Sequence, residues 1–352
     1  MAPTIFCHQE KLLHNAKAVL SLCHTHHIVH PMLVVKVLAG NRQIVDTLAT
    51  LDFPYIADSR IENLKKFRHL RQKKVLLRLP MPSEANAVVR YADISLNSEL
   101  HTIKKLNESA RKSEKIHHII LMFDIGDLRE GIYFADGYLS LVSDILKLKH
   151  IKLIGIGTNL TCYGGVIPTA ENMKRFLDIK TAIEVEFKIN LGIISGGNSS
   201  SFPLLIEGKL PQGINGLRFG EVVFCGRETA YGTILPNLYD DCFTLQAEVI
   251  EVKDKPSVPI GEIGMNSFGE IPKFIDKGHI RRAILALGKQ DLIMDNIRPV
   301  SHDIDILGAS SDHLIIDASR STLQVGDVVT FALNYPGILH CMNSPYIKKV
   351  VQ

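Results

Sequence analysis

Between residues 32 and 219, short apolar, β-branched runs alternate with segments of helical periodicity, and few folds can absorb such a pattern. The runs cover residues 32–37, 55–58, 75–79, 93–96, 116–124, 153–158, 191–195 and 216–219. Amphipathic segments at 61–70, 99–110, 139–148 and 170–187 lie between them, each long enough for a parallel crossover. Eight βα units in about 220 residues predict an α/β fold of the closed (β/α)8 TIM-barrel type. A length of 352 residues exceeds one ordinary core and leaves room for a second domain.

From about residue 239 the texture changes. β-runs at 245–252, 283–287, 314–317 and 328–333 are broken by turn residues such as Pro256, Pro259, Gly261 and Gly326, and no helix of normal length fits. The chain is therefore expected to divide into a barrel, residues 1–238, and a C-terminal all-β domain, residues 239–352. A net charge of +3 leaves no electrostatic footprint for nucleic acid, and no apolar run is long enough for a membrane span. Met1-Ala2-Pro3-Thr4 lacks the layout of a signal peptide, and six scattered cysteines form no CxxC pair, so a cytoplasmic protein with reduced thiols is expected. The cluster Cys23-His24-Thr25-His26-His27 lies where the first helical pattern, 9–22, runs out. Histidines there complement a helix C-terminus, so no metal is expected.

A (β/α)8 barrel carries its active site at the C-terminal ends of its strands. The chain offers a convergent polar set there: Lys36, Asp58, Arg78, Asn97, the run from Asp124 to Arg129, Thr158-Asn159, the run from Ser195 to Ser200, and that from Arg218 to Glu221. Lys36 stands out because it interrupts the apolar run 32–38. A lysine held in an apolar wall has a lowered pKa and presents a nucleophilic amine suited to a Schiff base. The competing reading is a lysine that snorkels out at a strand end. After the seventh strand, Ser195-Gly196-Gly197-Asn198-Ser199-Ser200 combines two glycines, which let the backbone approach closely, with hydroxyls and a following helical stretch. That is a donor set for an anion, in the loops where barrels hold phosphate.

Lys36, Gly196-Gly197-Asn198-Ser199 and Leu217-Arg218-Phe219-Gly220 together resemble the fold-type III pyridoxal-phosphate enzymes of the alanine racemase family, as does Gly308-Ala309-Ser310-Ser311-Asp312-His313 in the β domain. Further strings resemble its alanine/ornithine racemase subgroup: Gly126-Asp127-Leu128-Arg129-Glu130-Gly131, Gly155-Ile156-Gly157-Thr158-Asn159, Cys162-Tyr163-Gly164-Gly165, Gly288-Lys289-Gln290-Asp291 and Ser344-Pro345-Tyr346. The resemblance implies an isomerase with pyridoxal 5'-phosphate as cofactor. Lys36 would bond to it and act as the base on one face of the substrate. Asn198, Ser199, Gly220, Glu221 and Tyr346 would surround the cofactor phosphate, with Asn159 and Arg218 also binding the cofactor. Arg129, Ser311 and Asp312 would meet the substrate, in a homodimer whose β domains reach into the partner's barrel. Facing the pyridine nitrogen, Arg218 would require it to stay unprotonated, since a guanidinium only donates. The weaker electron sink suits simple proton exchange at Cα.

The chain departs from the family's alanine racemases at three places. Phe268-Gly269 stands where they have a catalytic tyrosine before a glycine, Asn159 stands for a histidine, and Gly40 for a tyrosine four residues beyond the lysine. The second base is therefore unassigned, with Ser267, Ser311, Tyr163, Cys162 and Cys341 as local candidates. A small residue at 40, together with Glu270, Lys289 and Asp291, suits a longer, cationic amino acid. The expected activity is racemisation of ornithine or a similar basic amino acid. The alternatives are a racemase of alanine or another small amino acid, and a non-catalytic pyridoxal-phosphate carrier. A carrier of this fold ends near the eighth strand and has no use for the β domain.

Overall fold

The first strand, β1 (Thr4–Cys7), does not join the barrel. In the structure, a computed structural model that describes residues 2–352, it pairs antiparallel with residues 243–246 and parallel with residues 348–351. Residues up to Gln9 thus group with Asp241–Gln352 in one compact unit, and Glu10–Asp240 form the other. This corrects the expectation that the barrel domain begins at residue 1. A four-residue strand has no periodicity to reveal its partner, and here the partners lie at the far end of the chain.

The barrel unit contains β2 (His30–Val34), β3 (Tyr55–Asp58), β4 (Lys73–Leu76), β5 (Ile94–Asn97), β6 (His117–Asp124), β7 (Ile132–Tyr133), β8 (Ile151–Thr158), β9 (Ile193–Ser195) and β10 (Gly216–Phe219). Apart from β7, a two-residue spur on β6, each pairs in parallel with the next, and β10 returns to β2. The eight-stranded (β/α)8 barrel is closed. Residues two apart on a strand face the same side, so one stripe of each strand fills the interior: Met32 and Val34, Tyr55 and Ala57, Ile120 and Met122 are all buried in one cluster. Each such Ile, Met or Val stabilises the fold by about 1.5–3 kcal/mol. The longest crossover helix, Ala170–Phe187, starts at a capping box between Thr169 and Asn172 and buries Met173, Phe176, Ile179 and Ile183 along one face.

The second unit contains β11 (Phe243–Pro256), β12 (His279–Leu285), β13 (Ile297–Pro299), β14 (Asp305–Ala309), β15 (Leu314–Asp317), β16 (Val328–Leu333) and β17 (Lys348–Val351). They form a sheet in the order β13-β16-β11-β12-β15-β14, with β1 on β11 and β17 on β1, antiparallel except at the last pair. The expectation of no helix here needs one correction, since Tyr335–Asn343 is helical. Asn334, Pro336 and Gly337 look like turn punctuation. Asn334 instead caps the helix by accepting the Gly337 amide, and Pro336 sits in the first turn, where its missing N–H costs nothing.

Candidate active site

Lys36 follows β2 as the first residue of a 3-10 turn, Lys36–Leu38. Val35 and Val37 are fully buried, whereas Lys36 is exposed. The strand ends at Val34, and the turn directs the flanking valines inward and leaves Lys36 exposed at the barrel mouth, which matches the reading of a lysine that reaches out at a strand end rather than one held in an apolar wall. Its charge is felt by the carboxyls of Asp58 and Glu221 and by the thiol of Cys162. Burial pushes Asp58 up to about 6, against hydrogen bonds from the Arg60 amide at 2.9 Å and from Asn63 at 3.2 Å. Burial likewise pushes Glu221 up to about 7, opposed by Arg227 and reinforced by Glu228.

The loops after β9 and β10 are joined by one hydroxyl. Ser199 Oγ accepts from the backbone amides of Gly220 and Val222, each at 3.3 Å, at the start of the short helix Glu221–Cys225. Asn198 Oδ1 accepts the Ser200 amide at 2.8 Å and so shapes the turn. Gly197 has φ +116°, and a Cβ there would lie 2.7 Å from Ser201 Oγ, so only glycine fits. The Ser199 hydroxyl and the start of the helix Glu221–Cys225 thus lie side by side, and exchanging the Ser199 contact for a ligand's oxygens would offer a phosphate group two main-chain amides and a hydroxyl.

Arg218, only 3% exposed, is surrounded by acceptors. Its Nη1 donates to Ser195 Oγ, and its Nη2 donates to the Thr158 carbonyl and, at 2.7 Å, to Asn159 Oδ1. Asn159 Nδ2 donates to Glu130 Oε1 at 2.6 Å, which also accepts from Arg129 Nη2 at 2.7 Å. A continuous hydrogen-bond chain therefore runs from the buried guanidinium to the exposed one. Burial lowers Arg218 to about 10, with Glu130 the main charge opposing the shift, so it remains cationic at neutral pH. Three of the five N–H donors of a guanidinium are thereby engaged, and the rest suit an acceptor such as a pyridine nitrogen. Thr158 Oγ1 and Asn97 Oδ1, both at strand C-terminal ends, are buried without a partner. Orphaned polar atoms of this kind are costly unless a bound group completes them. The residues at the mouth fit pyridoxal phosphate.

Three acids do more than their sequence context suggests. Glu130 links the two arginines. Asp127 accepts the amides of Thr161, Cys162, Tyr163 and Val166 and so clamps the loop after β8. Glu228 accepts those of Ala230, Tyr231 and Thr233 and does the same after β10. Their only sequence signal is an acid close to glycines in a site loop. Among the candidates for a second base, Cys162 is exposed and its sulfur accepts from Asn198 at 3.3 Å. Cys341 is buried, and burial pushes its thiol up to about 12.

Ser311, Asp312 and Tyr346 belong to the sheet unit, and all three are exposed. Within that unit the three strings of the β domain meet. Lys289 and Gln290 amides donate to the Ser310 and Ser311 carbonyls at 2.8 and 2.9 Å, and a Cβ on Gly288 would lie 2.1 Å from the Ser311 oxygen. Ser344 Oγ donates to Asp291 at 2.8 Å and accepts the Tyr346 amide. Lys289 pairs with Glu270 at 2.9 Å and lies 4.2 Å from the centre of the Phe268 ring. These polar groups satisfy one another within the chain.

The family model described as the alanine racemase N-terminal domain matches residues 7–228. The chain is 47% identical over 351 residues to the ornithine racemase of Acetoanaerobium sticklandii, covering 99% of each chain. It is 37% identical over 358 residues to the lysine racemase of Thermotoga maritima, covering 99% of this chain and 98% of that one. The solved structure of alanine racemase from Bartonella henselae with covalently bound pyridoxal phosphate superposes over 100% of both chains with a TM-score of 0.75 at 16% identity, which shows a shared fold.

Proposed function

Because the chain belongs to the alanine racemase family, we propose that it is a pyridoxal 5'-phosphate-dependent amino-acid racemase, an isomerase of the cytoplasm, acting on ornithine. The relative at 47% identity supports ornithine over other amino acids. The observation that carries the chemistry is the buried Arg218, set among acceptors and tied through Asn159 and Glu130 to Arg129.

When bound, the cofactor draws electrons from the substrate's Cα and so acidifies its proton. Lys36 Nζ anchors the cofactor and moves the Cα proton on one face of the substrate. Asn198, Ser199 and the backbone amides of Gly220 and Glu221 would hold the phosphate. Arg218 keeps its protons near neutral pH, so a ring nitrogen facing it would have to accept and would be held unprotonated. Arg129, steadied by Glu130, orients the substrate carboxylate.

The working unit is a homodimer in which the sheet unit of one copy brings Ser311, Asp312 and Tyr346 to the barrel mouth of the other. Their exposure supports this, as do the exposed apolar side chains of Ile260, Met265, Ile271 and Ile275 in the same unit. The test is chiral chromatography of a panel of L- and D-amino acids incubated with cofactor-loaded protein. Ornithine should be racemised fastest. Turnover confined to alanine would overturn the substrate, and no turnover of any amino acid would leave a cofactor carrier.

A further inference from the structure

A second group of cations gathers at the other end of the barrel. Lys73 and Lys74 open β4, Asp93 immediately precedes β5, and His117 opens β6. All mark the N-terminal ends of parallel strands, opposite the ends that carry Lys36 and Arg218. Between them lies a cavity of about 320 Å³, and Arg68, Lys73, Lys74, Arg90 and Lys115 all line it.

One carboxylate faces these five cations, and it is already engaged. Asp93 accepts the backbone amide of Lys74 at 2.7 Å and has Lys74 Nζ 3.8 Å away. Lys74 Nζ also donates to the carbonyls of Leu70 and Gln72. The Arg90 guanidinium lies 5.3 Å from the centre of the Tyr91 ring. No ion pair among the described residues engages Arg68, Lys73 or Lys115. A concave site lined by one sign of charge focuses its field and concentrates counter-ions. Two histidines line the cavity as well. His118 is lowered chiefly by burial and then by Lys152 and Lys73, with Asp93 opposing, while His117 is lowered to about 4 chiefly by burial.

We infer that this cavity is an anion-binding site for a small metabolite carrying a diphosphate group. The volume lies at the lower end of the range for ligand pockets, roughly 300–1,000 Å³, which suits a small metabolite. Two guanidiniums supply planar forks that match phosphate oxygens two at a time, and the lysines supply point charges. Tyr91 and Ile116 form the less polar wall, where the rest of the metabolite would lie. The site is separate from the barrel mouth, so its ligand does not compete with the cofactor phosphate.

The test uses cofactor-loaded enzyme freed of excess pyridoxal phosphate, titrated with inorganic diphosphate at constant ionic strength and followed by calorimetry and by NMR of the His118 ring. One diphosphate should bind per chain. The His118 pKa should rise, because the anion offsets the nearby Lys73 while Asp93 and His117 stay as they are. A Lys73→Gln, Lys115→Gln double variant should lose at least tenfold in affinity and keep the parent racemase activity. Arg68→Gln serves the same purpose if the double variant folds poorly. A parallel titration with ADP separates a nucleotide from free diphosphate as the source, and saturable binding of either supports the site. No saturable binding at millimolar concentration, an equal effect from sulfate at the same ionic strength, or unchanged affinity in the folded variants would overturn it.

Discussion

Replacing Glu130 by glutamine keeps the side-chain shape and deletes one charge from the chain that joins Arg218, Asn159 and Arg129. The carboxylate accepts from Arg129 Nε, Arg129 Nη2 and Asn159 Nδ2. Glutamine retains one acceptor oxygen and turns its NH2 towards groups that are themselves donors. A hydrogen bond to a charged group contributes about 1.5–3 kcal/mol. The Glu130 side chain is 18% exposed, so solvent screens the loss only in part, and a net cost of about 1.5–3 kcal/mol is expected. With about 1.4 kcal/mol per factor of ten, kcat/KM for ornithine should fall roughly tenfold to a hundredfold. Most of the loss should appear in KM, since Arg129 is assigned to hold the substrate rather than to move a proton. The melting temperature should fall too, because Arg218 loses the main charge that offsets its burial. Initial rates by chiral chromatography and thermal unfolding read the two effects separately. A Glu130→Gln enzyme with parent kcat/KM and parent melting temperature would refute the reasoning.

Borohydride reduction of the loaded enzyme should fix the cofactor on the peptide that contains Lys36, and Lys36→Ala should abolish both labelling and turnover; a label on another peptide removes the assignment. Gly197→Val must strain a φ of +116° and press on Ser201 Oγ, so cofactor retention in dialysis should weaken at least tenfold, and unchanged retention would place the phosphate elsewhere. Glu221 has a folded pKa of about 7 against an ordinary 4.5, so folding is favoured most when it is protonated, and about 3 kcal/mol is lost as pH rises from below 4.5 through 7. In cofactor-free protein, Glu221→Gln should flatten the stability profile over that window and exceed the parent at pH 8; superimposable profiles would assign the slope to other groups. Mixing inactive Lys36→Ala chains with inactive Asp312→Ala chains should restore part of the activity, whereas verified heterodimers with none would mean that each chain completes its own site.

The barrel was legible because its strands are buried on both faces and therefore appear as apolar runs. Six of the eight match closely; β2 is displaced because valines continue past its end at Val34 into the turn that presents Lys36, and β4 because Leu77 and Leu79 continue the apolar run past its end at Leu76. The glycine-serine loop and Arg218 were legible from composition and position. Asp127 and Glu130 fell within strings singled out from the sequence, but what they and Glu228 do was not legible, since it depends on partners set in place only by the fold. Asp127 and the loop it clamps are separated by more than 30 positions. The helix Tyr335–Asn343 was missed because Asn, Pro and Gly serve both to break helices and to start them.

The position of β1 between β11 and β17 has a consequence for synthesis. Thr4 lies opposite Gln246 on one side and Lys348 on the other. At roughly 5–20 residues per second, the first strand leaves the ribosome tens of seconds before either partner exists. The barrel can close in that interval, but the sheet unit stays open until β17 emerges. Removing the first ten residues would therefore leave the edges of β11 and β17 unpaired, which invites pairing between nascent chains. A tag or truncation at the N-terminus acts on the part of the protein that is last to be completed.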